Sequence, residues 1–353
     1  MAILITGGAG FVGSAFVHSW FAQGDEPAVT LDSFTYAGNA DNLADLPATA
    51  AHVLVRGDIG DRALVGRVLA EHQPRAIVHL AAETHVDRSI RDAEAFIQTN
   101  VAGTARLLDA ATDYWRTLGS ERQRSFRFLH VSTDEVFGSL AAGEPPFSES
   151  SPYRPSSPYA ASKAASDHVV SAWHVTHGLP VLTTHCSNNY GPRQFPEKLI
   201  PLCITRATAG ERIPVYGSGT QIRDWLHVED HCAALRLVLE RGAAGRRYAI
   251  GGSGERTNIE VVRTVCDILD GERPRACGKS HRELIEFVED RPGHDARYAI
   301  DASRIRDELG WAPAHGFVEG LRDSVRWYLD NGPWLERVRN GAYRTWIRSH
   351  YGR

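Results

Sequence analysis

The first thirteen residues restrict the fold more than any other stretch. An apolar run, Ala2 to Thr6, breaks into Gly7, Gly8, Ala9, Gly10, Phe11, Val12 and Gly13, then continues as a helical pattern with Ala15, Phe16, Trp20 and Phe21. Strand, glycine turn and helix in that order open a parallel α/β sheet, and each glycine has a steric reason to be there. Gly7 permits the tight turn, Gly10 lets the backbone approach a pyrophosphate, and Gly13 allows the helix to pack closely on the strand. The helix N-terminus then offers free N–H groups and a favourable dipole to the anion. A second run, Ala28 to Leu31, ends at Asp32, where a carboxylate meets the adenosine ribose hydroxyls and repels a 2′-phosphate. The expected cofactor is therefore NAD, not NADP.

Two further strands follow. His52 to Val55 leads to Gly57, Asp58 and Ile59, and Ala76 to Leu80 leads to Ala81, Ala82, Glu83, Thr84 and His85. Strands alternating with helices make a parallel sheet whose carboxyl ends carry the ligands. Asp58 and Ile59 are placed to meet an adenine ring, and Ala81 and Ala82 are small enough for a cofactor to lie close. One long helix is expected from about Asp92 to Leu118, with Phe96, Val101, Leu107 and Leu108 facing either the core or a second subunit. After a strand at Val181 to Thr184 the alternation fails. Short strands, Ile213 to Tyr216 and Ile222 to Leu226, mix with a helix over His227 to Arg241 and turns such as Gly217-Ser218-Gly219. The expected architecture is a Rossmann-like, doubly wound parallel sheet over residues 1–187, with returns near 222–250. A smaller C-terminal α/β substrate-binding domain takes most of 188–353.

Composition excludes several functions. A formal net charge of -4 with no Lys/Arg run leaves no footprint for nucleic acid or an anionic membrane. No basic-then-apolar leader and no run of membrane-spanning length occurs, and the five cysteines show no C-x-x-C spacing, so a cytoplasmic chain with reduced thiols is expected. The sixteen histidines form no H-E-x-x-H or comparable set, and no metal is expected.

The chemistry concentrates between His130 and Lys163. An apolar strand, Phe126 to Val131, breaks into Ser132, Thr133, Asp134 and Glu135, and Tyr159 and Lys163 follow at helical spacing, which puts phenol and ammonium on one face. A neighbouring ammonium lowers a phenol's pKa and makes it a base near neutral pH. Adjacent residues on a regular strand point to opposite faces, so Asp134 and Glu135 reach one ligand only if the strand has already turned.

With these residues in hand the chain resembles the extended short-chain dehydrogenases/reductases that act on sugar nucleotides, and more narrowly the dTDP-glucose 4,6-dehydratases. The discriminating pieces are Ser132-Thr133-Asp134-Glu135, the run from Asn189-Tyr190-Gly191-Pro192 to Pro201, Arg223-Asp224-Trp225, and Arg291-Pro292-Gly293-His294-Asp295. Related epimerases resemble it in the glycine turn, Tyr159 and Lys163 but carry no adjacent Asp-Glu pair.

The resemblance implies a homodimer acting on dTDP-glucose and assigns roles. Tyr159, assisted by Lys163 and Thr133, takes the C4 hydroxyl proton while hydride passes to NAD; Glu135 removes the C5 proton and Asp134 protonates the departing C6 hydroxyl. Acid and base must differ in protonation, so the pKa of Asp134 is expected to lie above that of Glu135. Cofactor contacts are expected from Gly7, Gly10, Phe11, Val12, Gly13, Asp32, Ser33, Phe34, Thr35, Asp58, Ile59, Leu80, Ala81, Ala82, Thr99, Tyr159, Lys163 and Asn189. Substrate contacts are expected from Thr84, Thr133, Asn188, Lys198, Leu199, Pro214, Tyr216, Arg223, Asn258, Arg291 and His294, with the guanidinium groups on the diphosphate and Tyr216 or Leu199 beside the thymine. Phe137 and His185 stand where the family commonly has Tyr and Arg, away from the reacting groups. The alternatives are a UDP-sugar 4,6-dehydratase, a nucleotide-sugar 4-epimerase, or a non-catalytic NAD-binding regulator.

Overall fold

The structure is a computed structural model that describes residues 1–339. Its strands are β1 (Ile3–Thr6), β2 (Ala28–Asp32), β3 (His52–Arg56), β4 (Ala76–His79), β5 (Arg127–Thr133), β6 (Val181–Cys186), β7 (Asn188–Tyr190), β8 (Ile213–Tyr216), β9 (Ile222–His227), β10 (Arg247–Ile250), β11 (Glu255–Thr257) and β12 (Ile285–Val288). Seven of them form one sheet in the order β10-β6-β5-β4-β1-β2-β3. Every pairing in it is parallel. This is the doubly wound sheet expected from the sequence.

Both faces of this sheet are covered, which is why β1, β2 and β4 are buried along their whole length. On one face the helices Phe11–Ala22 and Val228–Arg241 bury Phe16, Trp20, Leu235 and Val238. On the other, Val65 of helix Arg62–His72, Leu107 of Thr104–Thr117 and Val170 of Pro158–His177 pack against Leu4, Val29 and Phe128. The return of the chain to this sheet is β10 beside β6.

A second hydrophobic core, with Ile200, Val215, Val262, Leu269, Leu321 and Trp334, serves the later part of the chain. It lies among the helices Leu199–Thr208, Asn258–Glu272 and Phe317–Asp330. Two small sheets accompany it, β11-β9-β7 and the parallel pair β12-β8. β7 and β11 have the polar sequences NNY and ERT, without the alternation that marks a strand.

The long helix expected over Asp92 to Leu118 runs without a break from Ala93 to Thr117, but it is α-helical only over Ala93–Phe96 and Thr104–Thr117 and widens into a π-helix over Ile97–Gly103. The cause sits at Asn100, whose side chain binds the backbone of Glu83 in both directions (2.8 and 3.0 Å) and Ser162 Oγ (2.9 Å). Widening the helix there keeps Asn100 pinned between the loop after β4 and helix Pro158–His177. No helix among the described residues is long and apolar enough to cross a membrane, and all five cysteines are free thiols.

Candidate active site

The carboxyl ends of the main sheet open into a cleft of about 300 Å3. The glycine turn forms one wall. Gly7 has φ +72°, and a Cβ there would stand 2.6 Å from the Ala81 amide nitrogen, while a Cβ on Gly13 would stand 2.1 Å from Gly7 O. At Gly10 a Cβ would meet protein only at Gly7 O, 3.3 Å away, so the demand for glycine there comes from whatever approaches through the cleft. Asp32 ends β2 with its carboxylate accepting from Ala9 N (2.9 Å) and Phe34 N (2.8 Å). Burial pushes its pKa up, against those two bonds.

Of the residues expected to hold the cofactor, all but one line this cleft. The exception is Phe34. Its backbone is in the left-handed region (φ 52°) and its ring packs on the first core near the Arg56 guanidinium, 5.9 Å from the ring centre. Its contribution is the N–H that orients Asp32. The cleft suits a nicotinamide dinucleotide on this structure's own terms: a glycine turn without side chains, a carboxylate at the end of β2, and buried, unpartnered polar atoms on its wall, Ser187 Oγ and Asn188 Oδ1 among them.

The groups expected to react gather at the ends of β5 and β6. β5 runs through Thr133 and turns at once into a 3-10 helix, Asp134–Phe137, so the geometric demand made by adjacent carboxyls is met. Thr133 Oγ1 donates to Asp134 Oδ1 and accepts from Glu135 N, each at 3.3 Å. Asp134 is buried, and its Oδ2 has no hydrogen-bond partner. Burial lifts its pKa well above the carboxylate range, with Glu135 and Asp224 adding to the lift. Glu135 is also raised by burial, but Arg291, Lys198 and Arg223 all pull it back. The surroundings therefore lift the pKa of Asp134 further than that of Glu135.

Tyr159 and Lys163 lie on the first turns of helix Pro158–His177, started by Ser157 capping Ala160 N and by Pro158 at its first position. The expected lowering of the tyrosine by the lysine is corrected here. Burial, followed by Glu135, Cys186 and Asp134, raises the phenol well above its ordinary pKa. The Lys163 ammonium is itself buried, with its pKa pushed down by burial, and it donates to Val131 O at 2.8 Å. In the chain alone the negative groups outweigh it.

The substrate set divides in two. Thr84, Thr133, Asn188 and Lys198 line the cleft. Leu199, Pro214, Tyr216, Arg223, Asn258, Arg291 and His294 lie outside that lining, on the elements of the second core and its loops. Three of these converge on one another: Tyr216 Oη donates to Asp87 Oδ2 (3.2 Å), Arg291 pairs with Asp87 Oδ1 (3.3 Å), and the His294 ring sits 6.2 Å from that of Tyr216. Arg223 is buried, donates to Asp295 O (2.9 Å) and lies 4.2 Å over the Tyr298 ring.

Several supporting residues escaped the sequence reading. Asp167, one turn beyond Lys163, is buried and accepts from His130 (3.0 Å), Ser132 (3.0 Å), Tyr153 (3.2 Å) and His185 (2.9 Å). Phe137 packs on the His185 ring at 4.9 Å, so the two departures from the family pattern touch each other. Asn189 Oδ1 pairs with His231 Nδ1 at 2.9 Å, tying the cleft to helix Val228–Arg241. The helical spacing from Tyr159 through Lys163 was the one available signal for Asp167.

Comparison with known proteins agrees with this geometry. Residues 4–324 match the family model described as GDP-mannose 4,6 dehydratase. The chain is 58% identical over 342 residues to a dTDP-glucose 4,6-dehydratase of Xanthomonas campestris pv. campestris, covering 97% of each. It is 52% identical over 359 aligned positions to dTDP-glucose 4,6-dehydratase 1 of Escherichia coli K12, covering 99% of each. Among solved structures, the dTDP-glucose 4,6-dehydratase of Streptomyces venezuelae with NAD and TYD bound superposes with a TM-score of 0.87 at 45% identity, over 96% of this chain and 100% of that one. The chain belongs to the GDP-mannose 4,6-dehydratase family and, within it, groups with the dTDP-glucose 4,6-dehydratases.

Proposed function

We propose that this chain dehydrates dTDP-glucose to dTDP-4-keto-6-deoxy-glucose with a retained NAD, in the cytoplasm. The observation that carries the reading is the 3-10 turn Asp134–Phe137, which presents two adjacent carboxyls beside Thr133 and Tyr159 in environments that lift the pKa of Asp134 further than that of Glu135. The dinucleotide supplies, when bound, a reversible hydride acceptor and a positive charge next to the phenol.

The chain's own groups do the proton work. Tyr159, whose proton is held too tightly in the chain alone, gives it up when positive charge offsets Glu135 and Asp134; its phenolate then takes the C4 hydroxyl proton. Thr133 hydrogen-bonds the same sugar oxygen. Oxidation at C4 acidifies C5–H, and Glu135, kept ionisable by Arg291, Lys198 and Arg223, removes that proton. Asp134, kept protonated by burial, gives its proton to the C6 hydroxyl, which leaves as water; C6 then takes back the hydride lost from C4 and C5 regains the proton held by Glu135, giving the 4-keto-6-deoxy sugar. An epimerase has no use for this carboxyl pair.

The test is incubation of purified protein with dTDP-glucose and, separately, UDP-glucose, followed by the alkaline absorbance of the 4-keto product. Product from dTDP-glucose without added NAD is the expected result. Product only from UDP-glucose would overturn the nucleotide assignment, and none from either would overturn the reaction.

A further inference from the structure

We infer that His227, Glu229 and His315 form a binding site for one divalent transition-metal ion of the zinc class. The three side chains offer two imidazoles and a carboxylate, and one ligand atom from each lies within 4.8 Å of the others. None of them lines the catalytic cleft. His227 closes β9, Glu229 is in the first turn of helix Val228–Arg241, and His315 lies just before helix Phe317–Asp330. The site thus sits where a helix of the main sheet meets the second core.

Two independent observations point to a ligand. His227 is only 5% exposed, yet neither of its ring nitrogens has a hydrogen-bond partner. A buried imidazole with both nitrogens idle is a costly arrangement that needs an explanation. Its ring lies 4.2 Å from the ring of His315, a contact natural to two neutral imidazoles sharing a cation.

The second observation is the orientation of His315. Asp230 takes the His315 backbone N–H on Oδ2 (3.0 Å) and pairs with its Nδ1 through Oδ1 (2.9 Å). With Nδ1 committed to a carboxylate, Nε2 is the free nitrogen, and it stands 3.5 Å from Glu229 Oε2. Carboxylate, histidine and metal in line is the usual way a protein fixes the tautomer of a zinc-binding imidazole. Zinc bonds of about 2.0–2.2 Å to nitrogen and oxygen require the three atoms to draw slightly closer than they now stand. Glu229 is exposed and His315 half-exposed, so both have room to close and the fourth position opens to water. The sequence shows no metal motif because His227-x-Glu229 and His315 are far apart in the chain and only the fold brings them together.

The full chain, treated with chelator and titrated with CoCl2, is expected to bind one equivalent with the visible d–d absorption of four-coordinate cobalt and no thiolate charge-transfer band. ZnCl2 is expected to raise the thermal midpoint, since it binds the folded state. Glu229→Gln and His315→Gln should each weaken cobalt binding at least tenfold and abolish the thermal rise. Asp230→Asn, acting by positioning His315, should weaken binding about 10–100-fold. Because Glu229 is exposed, its variant keeps the fold and the test remains decisive. No stoichiometric binding by the unaltered chain, full affinity in Glu229→Gln and His315→Gln, or a thiolate band would each overturn the site.

Discussion

Asp134 and Glu135 are neighbours in the chain, proposed here for opposite tasks, and the difference between them is made by what each one faces. Three cations and Asp295 act on Glu135, whereas Asp134 has an unpartnered oxygen, two negative neighbours and Arg223 as the cation that offsets them. Glu135→Gln should therefore leave reduction of bound NAD by dTDP-glucose intact while lowering dehydration by about 10²–10⁴-fold, the usual worth of a general base. Nicotinamide absorbance and product formation, followed together, check this; dehydration at the full rate would place the base elsewhere. Asp134 also carries a stability consequence. Its folded pKa lies above its unfolded one, so between the two the unfolded chain has lost a proton that the folded chain keeps, and stability falls as pH rises. Asp134→Asn should be inactive yet more stable, with a margin growing by about 1.4 kcal/mol per pH unit from about pH 4 up to the folded pKa. Denaturant unfolding across pH measures that margin.

At the scale of elements, the N-terminal unit was legible because each glycine answers a local steric demand visible in one turn of chain. Gly13→Ala places a methyl 2.1 Å from Gly7 O, a backbone atom that cannot swing away. The variant should purify without NAD and lose about 1–3 kcal/mol of stability, the ordinary cost of overpacking. Nucleotide extracted from the purified variant and a denaturation curve test both halves. The π-helix at Ile97–Gly103 was not legible, because it answers to Glu83 and Ser162, which lie outside the helix. The tyrosine's pKa failed for a related reason: spacing identified Lys163 as a neighbour but not the burial and the carboxyls that outweigh it.

At the scale of the whole molecule, the cleft lies between the main sheet and the second core, and two arginines that look alike in sequence have different duties there. Arg223 is buried, bonded to Asp295 O and Ile222 O, and stacked on Tyr298. Arg291 is partly exposed and pairs with Asp87 outside the cleft lining. Arg223→Lys should cost about 2–3 kcal/mol of stability through lost bonds and stacking. Arg291→Lys should leave stability within about 0.5 kcal/mol and raise KM for dTDP-glucose about tenfold, because an ammonium cannot fork onto two phosphate oxygens. Unfolding curves and steady-state kinetics separate the two duties; equal effects on both variants would overturn the distinction.

The sequence by itself determined what rests on local spacing: the glycine turn, Asp32 at the end of β2, the Tyr159–Lys163 pair on one helix face, and two carboxyls directly after a strand. These follow from periodicity and from what a backbone permits within a few residues. Tertiary structure alone decided which groups share an environment. It set Asp167 against His130, Ser132 and His185, drew Arg291, Lys198 and Arg223 around Glu135, and moved Phe34 off the cleft. It also brought His227 and Glu229 against His315. Burial and electrostatic fields depend on neighbours distant in the chain, and no local pattern records them.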